Sequence, residues 1–169
     1  MSTERDGVLI ANRGEIARRI IRTARRLGLR TVAVYSDADR AAPHVREADE
    51  AVRLGPGPAA ESYLRIEAIV EAALATGVAI VHPGYGFLSE SAEFVRAVEA
   101  AGLRFAGPTA EQILAFGEKH TARELAEAAG VPLLPGSPLL ESAEAAVAAA
   151  EAVGLPVMGK ATKIGRAHV

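Results

Sequence analysis

The chain has no cysteine and no tryptophan. Without cysteine, disulfides and thiolate metal sites are excluded, and a cytoplasmic setting fits. Aromatic residues are 4% of the 169, too few for a stacking platform on single-stranded nucleic acid. Neither sign of charge dominates. The 19 Lys and Arg against 21 Asp and Glu give a formal net charge of −2, which draws the chain to neither nucleic acid nor anionic membrane. No apolar run reaches the roughly 20 residues of a membrane helix, and the polar start Met1-Ser-Thr-Glu-Arg-Asp6 is no signal peptide. His44, His82, His120 and His168 lack the i, i+4 spacing of a zinc site. A soluble cytoplasmic protein is expected, with no metal site of its own and no nucleic-acid or membrane partner.

What is present alternates in period. Val8–Ala11 is β-prone and ends in the turn Asn12-Arg13-Gly14. A helix follows from Glu15, with Ile16, Ile20, Ala24 and Leu27 on one face, Ala17 and Ile21 widening it, and Gly28 as its stop. Thr31–Tyr35 is a second strand, giving a βαβ unit and hence a parallel sheet with a right-handed crossover. The pattern predicts a short helical stretch over 39–50, a strand over 51–54, a helix over 63–76, a strand over 78–81, a helix over 92–101 and a strand over 103–106. That order points to an α/β fold, a Rossmann-like doubly wound parallel sheet.

The character changes after Gly107. Thr109 and Gln112 form a capping box for a short helix to Phe116. Lys119–Ala129 and the Ser142-capped stretch to Val153 read as further helices, and Leu155–Met158 as the start of a last strand. The expected division is a first domain over 1–107 and an incomplete second one over 108–162.

Several segments invite a functional reading. The first βα turn carries one glycine rather than G-x-G-x-x-G, so dinucleotide binding is disfavoured. Asp37 and Asp39 end the second strand, where a ribose-binding acid would sit, but capping the next helix is their ordinary role. Arg13, Arg18, Arg19, Arg22, Arg25, Arg26 and Arg30 crowd the first helix. They read as a solvated face with acidic neighbours or as a subunit interface. The segment from His82 to Glu90 is the most informative: Gly84 and Gly86 with Pro83 fix an unusual loop at the end of a buried strand, the sheet edge where α/β proteins bind ligands.

Leu9-Ile-Ala-Asn-Arg-Gly-Glu-Ile-Ala17, Ala33-Val-Tyr-Ser-Asp-Ala-Asp39, Ala48-Asp-Glu-Ala51, Glu61-Ser-Tyr-Leu64 and His82-Pro-Gly-Tyr-Gly-Phe-Leu-Ser-Glu90 together resemble the biotin carboxylase N-terminal domain, in the family's order and spacing. The resemblance implies a pre-ATP-grasp domain followed by the truncated start of an ATP-grasp domain. It also implies ATP-dependent carboxylation of biotin by bicarbonate through carboxyphosphate, with Mg²⁺, and a biotin carboxyl carrier domain as partner. Lys119 matches the lysine of the family's G-x-K motif and Lys160 the strand lysine before its glycine-rich loop, so both are ATP-binding by resemblance. His82, Gly84, Gly86 and Glu90 belong to the shared loop, as structural or active-site residues. No catalytic residue is expected in the chain. Phe116–Ala126 and Pro132–Ser137 are most similar to urea carboxylase, with acetyl-CoA, propionyl-CoA and pyruvate carboxylases left open.

There are departures. Ser91 stands in place of the family's usual asparagine, and Gly159 in place of a branched apolar residue before Lys160. The family's run of glycines after Thr162 is replaced by Lys163-Ile-Gly-Arg-Ala-His-Val169. Those last residues read as a non-native tail, because a common sequencing adapter encodes them. The expectation is an N-terminal fragment of a biotin carboxylase, inactive alone and able to self-associate through the arginine-rich helix. The rivals are a non-catalytic Rossmann-like binding or oligomerisation module and a nucleotide-binding domain of an oxidoreductase.

Overall fold

A computed structural model describes residues 7–117, 119–137 and 139–158. Strands β1 (Gly7–Ile10), β2 (Arg30–Ser36), β3 (Glu50–Gly55), β4 (Ile80–His82) and β5 (Arg104–Phe105) form one sheet in the order β3-β2-β1-β4-β5. Every pairing is parallel. Helices α1 (Gly14–Arg26), α2 (Pro43–Glu47), α3 (Ile66–Ala75) and α4 (Ala92–Ala100) make the connections. The order reverses between β1 and β4, as in a doubly wound fold.

Alternation along the central strand builds both layers. Leu9 and Ala11 join a cluster of thirteen buried residues that includes Ile69, Ala72 and Ala73 of α3 and Phe94 and Val98 of α4. Val8 and Ile10 point the other way, into a cluster of five with Ala17, Ile21 and Ala24 of α1. The core face of α1 is thus Ala17-Ile21-Ala24. Ile16, Ile20 and Leu27, expected to lie on that face, stay half-buried or exposed.

Helix ends follow local chemistry. Glu15 in the first turn and Arg25 and Arg26 in the last complement the α1 dipole. At its end Gly28 takes φ +75°, its N–H bonds Arg25 O, and Leu29 N–H reaches back to Ala24 O at 3.0 Å. This paired closure needs a left-handed residue that glycine supplies without a Cβ clash. The same bonds close α3, α4 and α6 (Lys119–Ala128).

Three sequence readings change. The stretch 39–50 is a 3₁₀ turn at Asp37–Asp39, then α2, then the start of β3. The helix expected from Tyr63 begins at Ile66 because Tyr63 is needed in the core, 1% exposed, with its hydroxyl bonded across to β2. Leu155–Met158 is not a strand, since no described strand runs beside it to supply ladder partners.

The chain divides into two compact units, the first ending at Ile113 and the second beginning at Leu114. The first runs past Gly107 because Ala110, at the start of α5 (Ala110–Gly117), is buried with Ala92 and Val95. The expected caps are present: Thr109 and Gln112 exchange backbone-to-side-chain bonds of 2.9 and 3.2 Å, and Ser142 Oγ accepts from Ala145 N–H at the head of α7 (Ala143–Val153). Among the described residues none after Ala110 is buried. Helices held by caps without a core open locally at little cost. Amides of α6 and α7 should therefore exchange at least an order of magnitude faster than those of β1 and β2. Equal protection in native-state hydrogen exchange would refute this.

Candidate functional site

The C-terminal ends of β1, β2 and β4 converge on one edge of the sheet. Asn12, just past β1, is fully buried. Its Nδ2 donates to Pro83 O at 2.7 Å and Tyr85 O at 3.0 Å, while its Oδ1 accepts from Arg13 N–H at 2.9 Å. One carboxamide thus holds the first βα turn to the glycine loop after β4. A buried amide left without such partners costs about 1–3 kcal/mol.

The glycine loop has the shape this clamp demands. Gly84 has φ +67°, and a Cβ there would lie 2.7 Å from Ile16 Cγ2 and 2.8 Å from Asn12 Nδ2. Its N–H donates to His82 Nδ1 at 3.0 Å, so the ring's proton sits on Nε2. Burial pushes the His82 pKa down, which keeps the ring neutral. Gly86 also has positive φ, but a Cβ there meets open space. Tyr85, 58% exposed, has its hydroxyl on Glu15 of α1. Glu90 is exposed on the turn before Ser91, and Ser91 Oγ caps α4 through Phe94 N–H at 3.2 Å.

A second cluster buttresses the loop. Phe87 has φ +44° and stacks on Tyr63, centroids 5.1 Å apart and planes 12° from parallel. The Arg13 guanidinium lies 5.6 Å from both ring centroids and 3.3 Å from Asp39. Asp39 Oδ2 also accepts from Tyr63 Oη at 2.7 Å and Ser36 Oγ at 3.2 Å. Burial opposes the Asp39 charge, yet the Tyr63 hydroxyl and Arg13 outweigh it and lower the pKa. Burial and the Asp39 carboxylate together push the Tyr63 phenol up to about 12.

Neither aspartate caps a helix, correcting the sequence reading. Asp39 joins the buttress, while Asp37 takes a two-pronged bond from Arg53 at 2.8 and 2.5 Å, tying β2 to β3. Hydrogen bonds from Arg53 and Arg40 hold Asp37 well below the usual carboxylate range. The acidic neighbours expected around the arginines are present: Arg18 meets Glu47, Arg25 meets Asp49 and Arg30 meets Glu50.

His82, Gly84 and Gly86 therefore lie together at the sheet edge, with Glu90 at the loop's far end. Lys119 is the first residue of α6, and its side chain lies outside what the structure describes. Lys160 lies outside the described residues. Asn12 and Tyr63 were missed as site residues: nothing in the sequence distinguishes a buried bridging asparagine from an ordinary turn residue, and helical periodicity absorbed Tyr63.

The sequence profile of the family described as "Biotin carboxylase, N-terminal domain" matches residues 4–113. The mitochondrial methylcrotonoyl-CoA carboxylase subunit alpha of Oryza sativa is 58% identical over 94% of this chain and 22% of its own length. Among solved structures, the biotin carboxylase domain dimer of the Hydrogenobacter thermophilus 2-oxoglutarate carboxylase, in complex with MgADP, ADP and bicarbonate, is 44% identical with a TM-score of 0.86. The match covers 95% of this chain and 35% of that one. The Kluyveromyces lactis urea carboxylase is 51% identical with a TM-score of 0.75, over 77% of this chain and 12% of that one. The chain thus spans about a third or less of the length of these relatives.

Two experiments follow from the geometry. Gly84→Ala meets both left-handed strain and the Asn12 and Ile16 contacts and should cost about 2–3 kcal/mol, whereas Gly86→Ala meets strain alone and should cost about 1 kcal/mol. Urea unfolding measures both, and equal losses would contradict the clamp. His44, fully buried with Nε2 3.3 Å from Val34 O, has its pKa lowered by burial, as does His82. Both rings bind fewer protons folded than unfolded, so their stabilisation is full above the unfolded value near pH 6.5 and falls as pH drops through the lower folded values. Asp39, with its folded value lowered, adds its loss only below about pH 4. The urea midpoint should decline from pH 7.5 to pH 5, less steeply in His44→Gln; a flat profile would mean the ring titrates freely.

Proposed function

This chain belongs to the biotin carboxylase N-terminal domain family, and from that premise we propose that it works in the ATP-dependent carboxylation of biotin by bicarbonate, as the N-terminal part of a biotin-dependent carboxylase in the cytoplasm. The observation that supports the reading is the loop from His82 to Glu90, which stands at the C-terminal edge of the sheet, where α/β proteins commonly take their ligands, and is held there by Asn12. Residues 1–107 are the pre-ATP-grasp domain in this reading, and 108–162 the beginning of ATP-grasp.

Lys119 and Lys160 are the proposed ATP contacts, and their ammonium groups suit phosphate oxygens. Bound Mg²⁺ would neutralise phosphate charge. Among the described residues no group of three His, Asp or Glu side chains is placed to hold a metal ion. This chain's residues bind and orient: Asn12, Arg13 and Tyr63 hold the glycine loop, and Gly84 lets the backbone pass close to α1. A biotin carboxyl carrier domain is the proposed partner. Self-association through α1 would use Arg19 and Arg26, which form no ion pair among the described residues.

The finer assignment concerns the acceptor. The stretches Phe116–Ala126 and Pro132–Ser137 support urea carboxylase, and the 58% identity to the rice subunit supports an acyl-CoA acceptor. Biotin carboxylation precedes acceptor choice, so the proposal stands on the shared step.

The 169-residue polypeptide by itself should show no bicarbonate-dependent ATP cleavage, and it should bind ATP no better than about millimolar, roughly 4 kcal/mol. Titration calorimetry and phosphate release check both. Turnover that survives purification and is lost in Lys119→Ala would overturn the first expectation, and a micromolar site removed by Lys160→Ala the second. Joining the chain to the later region of a family carboxylase should restore cleavage that depends on bicarbonate.

A further inference from the structure

One peptide unit of the glycine loop is pinned at both ends by side chains. Its carbonyl, Pro83 O, accepts from Asn12 Nδ2 at 2.7 Å, and its amide, Gly84 N–H, donates to His82 Nδ1 at 3.0 Å. A peptide is planar, so its C=O and N–H turn together. The Asn12 carboxamide does not titrate near neutral pH, whereas an imidazole does. The peptide is therefore held by one fixed clamp and by one that depends on a proton.

Neutral His82 carries its proton on Nε2 and offers Nδ1 as an acceptor. The imidazolium carries N–H on both nitrogens, and two donors facing each other at 3.0 Å cannot share a hydrogen bond. Protonation thus breaks this contact by valence. The ring lines an apolar groove of about 460 Å³ with Ile20, Leu27 and Ile80. Gly84, at φ +67° and without a Cβ, leaves the peptide free to rotate once its amide is released.

Few charges face the ring. Arg19 of α1 and Tyr85 of the loop line the same groove, and the Tyr85 hydroxyl bonds Glu15 of α1. On one side β1 brings no titratable side chain over Gly7–Ile10, and on the other β5 brings Arg104, whose register partner is Ile80. Burial alone lowers the pKa of His82. The folded ring therefore takes its proton below the ordinary value of about 6.5, and the contact is intact at neutral pH and lost as pH falls through the lower folded value. Asp39 stays ionised over that range, because its pKa lies below its ordinary value of about 4. The buttress of Arg13, Tyr63 and Phe87 is left unchanged.

We infer that His82 is a proton-operated latch of the glycine loop: neutral, it holds Gly84 N–H; protonated, it frees the Pro83–Gly84 peptide while β1 and β4 stay paired. The released segment is short, because Tyr85 O remains on Asn12 and Phe87 on Tyr63. The latch is a property of the fold and does not rest on the functional reading.

Nitrogen NMR and native-state hydrogen exchange of the 169-residue chain, from about pH 7.5 to about pH 4.5, test it. The His82 ring should show Nε2–H at neutral pH and gain a proton on Nδ1 in acid. Along the same titration the protection factor of Gly84 should fall at least about tenfold, while Ala11 N–H, bonded to His82 O, keeps its own. His82→Asn places a side-chain oxygen where it accepts the N–H two residues on, as in an Asx turn, and should hold Gly84 at every pH. His82→Leu should leave Gly84 unprotected throughout. In His44→Gln, which lacks the other buried ring, the response of Gly84 should persist. A Gly84 that stays protected beside a fully protonated ring would overturn the proposal. So would Nδ1–H at neutral pH, or a ring that remains neutral until the chain unfolds. Ala11 losing protection in step with Gly84 makes the event an opening of the sheet and refutes the latch, and a response abolished in His44→Gln assigns it to the wrong ring. Should a His82 variant fail to fold, Gly84 against Ala11 in the unaltered chain decides the matter.

Discussion

The Asn12 carboxamide is the constraint on which the sheet edge depends. Strands β1 and β4 are neighbours, and their ladder ends with Ala11 N–H on His82 O at 2.9 Å. Beyond that point the two chains diverge, one into α1 and the other into a loop with two left-handed glycines. Backbone carbonyls of such a loop must find donors or water. Asn12 supplies both donors from one buried side chain, and it satisfies its own acceptor with the next amide. Aspartate offers no N–H to the two carbonyls, and leucine would strand both.

The buttress around Phe87 depends on the same clamp. A non-glycine residue at φ +44° is strained and persists only where its surroundings over-determine it. Here Tyr63 covers one ring face, Arg13 sits near both rings, and Asp39 fixes Tyr63 and Arg13 at once. Most arginine–carboxylate pairs on α1 and β3 are half-exposed, and such pairs contribute at most about 1 kcal/mol. Their work is orientation. The helix is held by Ala17, Ile21 and Ala24 against the sheet.

What was legible in the sequence follows from which physics is local. Strand and helix periods, the glycine at the end of α1 and the Thr109 and Ser142 caps are short-range properties, and they appear where the spacing puts them. The parallel doubly wound order follows from alternation and the handedness of crossovers. Long-range partners were not legible. Tyr63 looked helical because its register with Ile66 and Ile69 is good, yet its hydroxyl is committed to Ser36 and Asp39 far back in the chain. Asp37 and Asp39 looked like caps because caps are local, whereas Arg53 and Tyr63 are not. The apolar stripe of α1 was visible as one broad face; only the sheet order divides it into a part that is covered and a part that is not.

That division puts one residue in both the rigid loop and the less covered face. His82 belongs to each: its Nδ1 takes the Gly84 amide, while the ring lines the groove beside Ile80. A side chain packed against Ile80 and His82 therefore acts on the backbone of Gly84 through one imidazole, and Asn12 carries the same restraint from within. The loop's path is set by a buried amide on one side and by the stacked Tyr63 and Phe87 on the other. The geometry of this edge is accordingly set by side chains just past β1 and β2 and in the segment before α3, which lie far apart in the sequence.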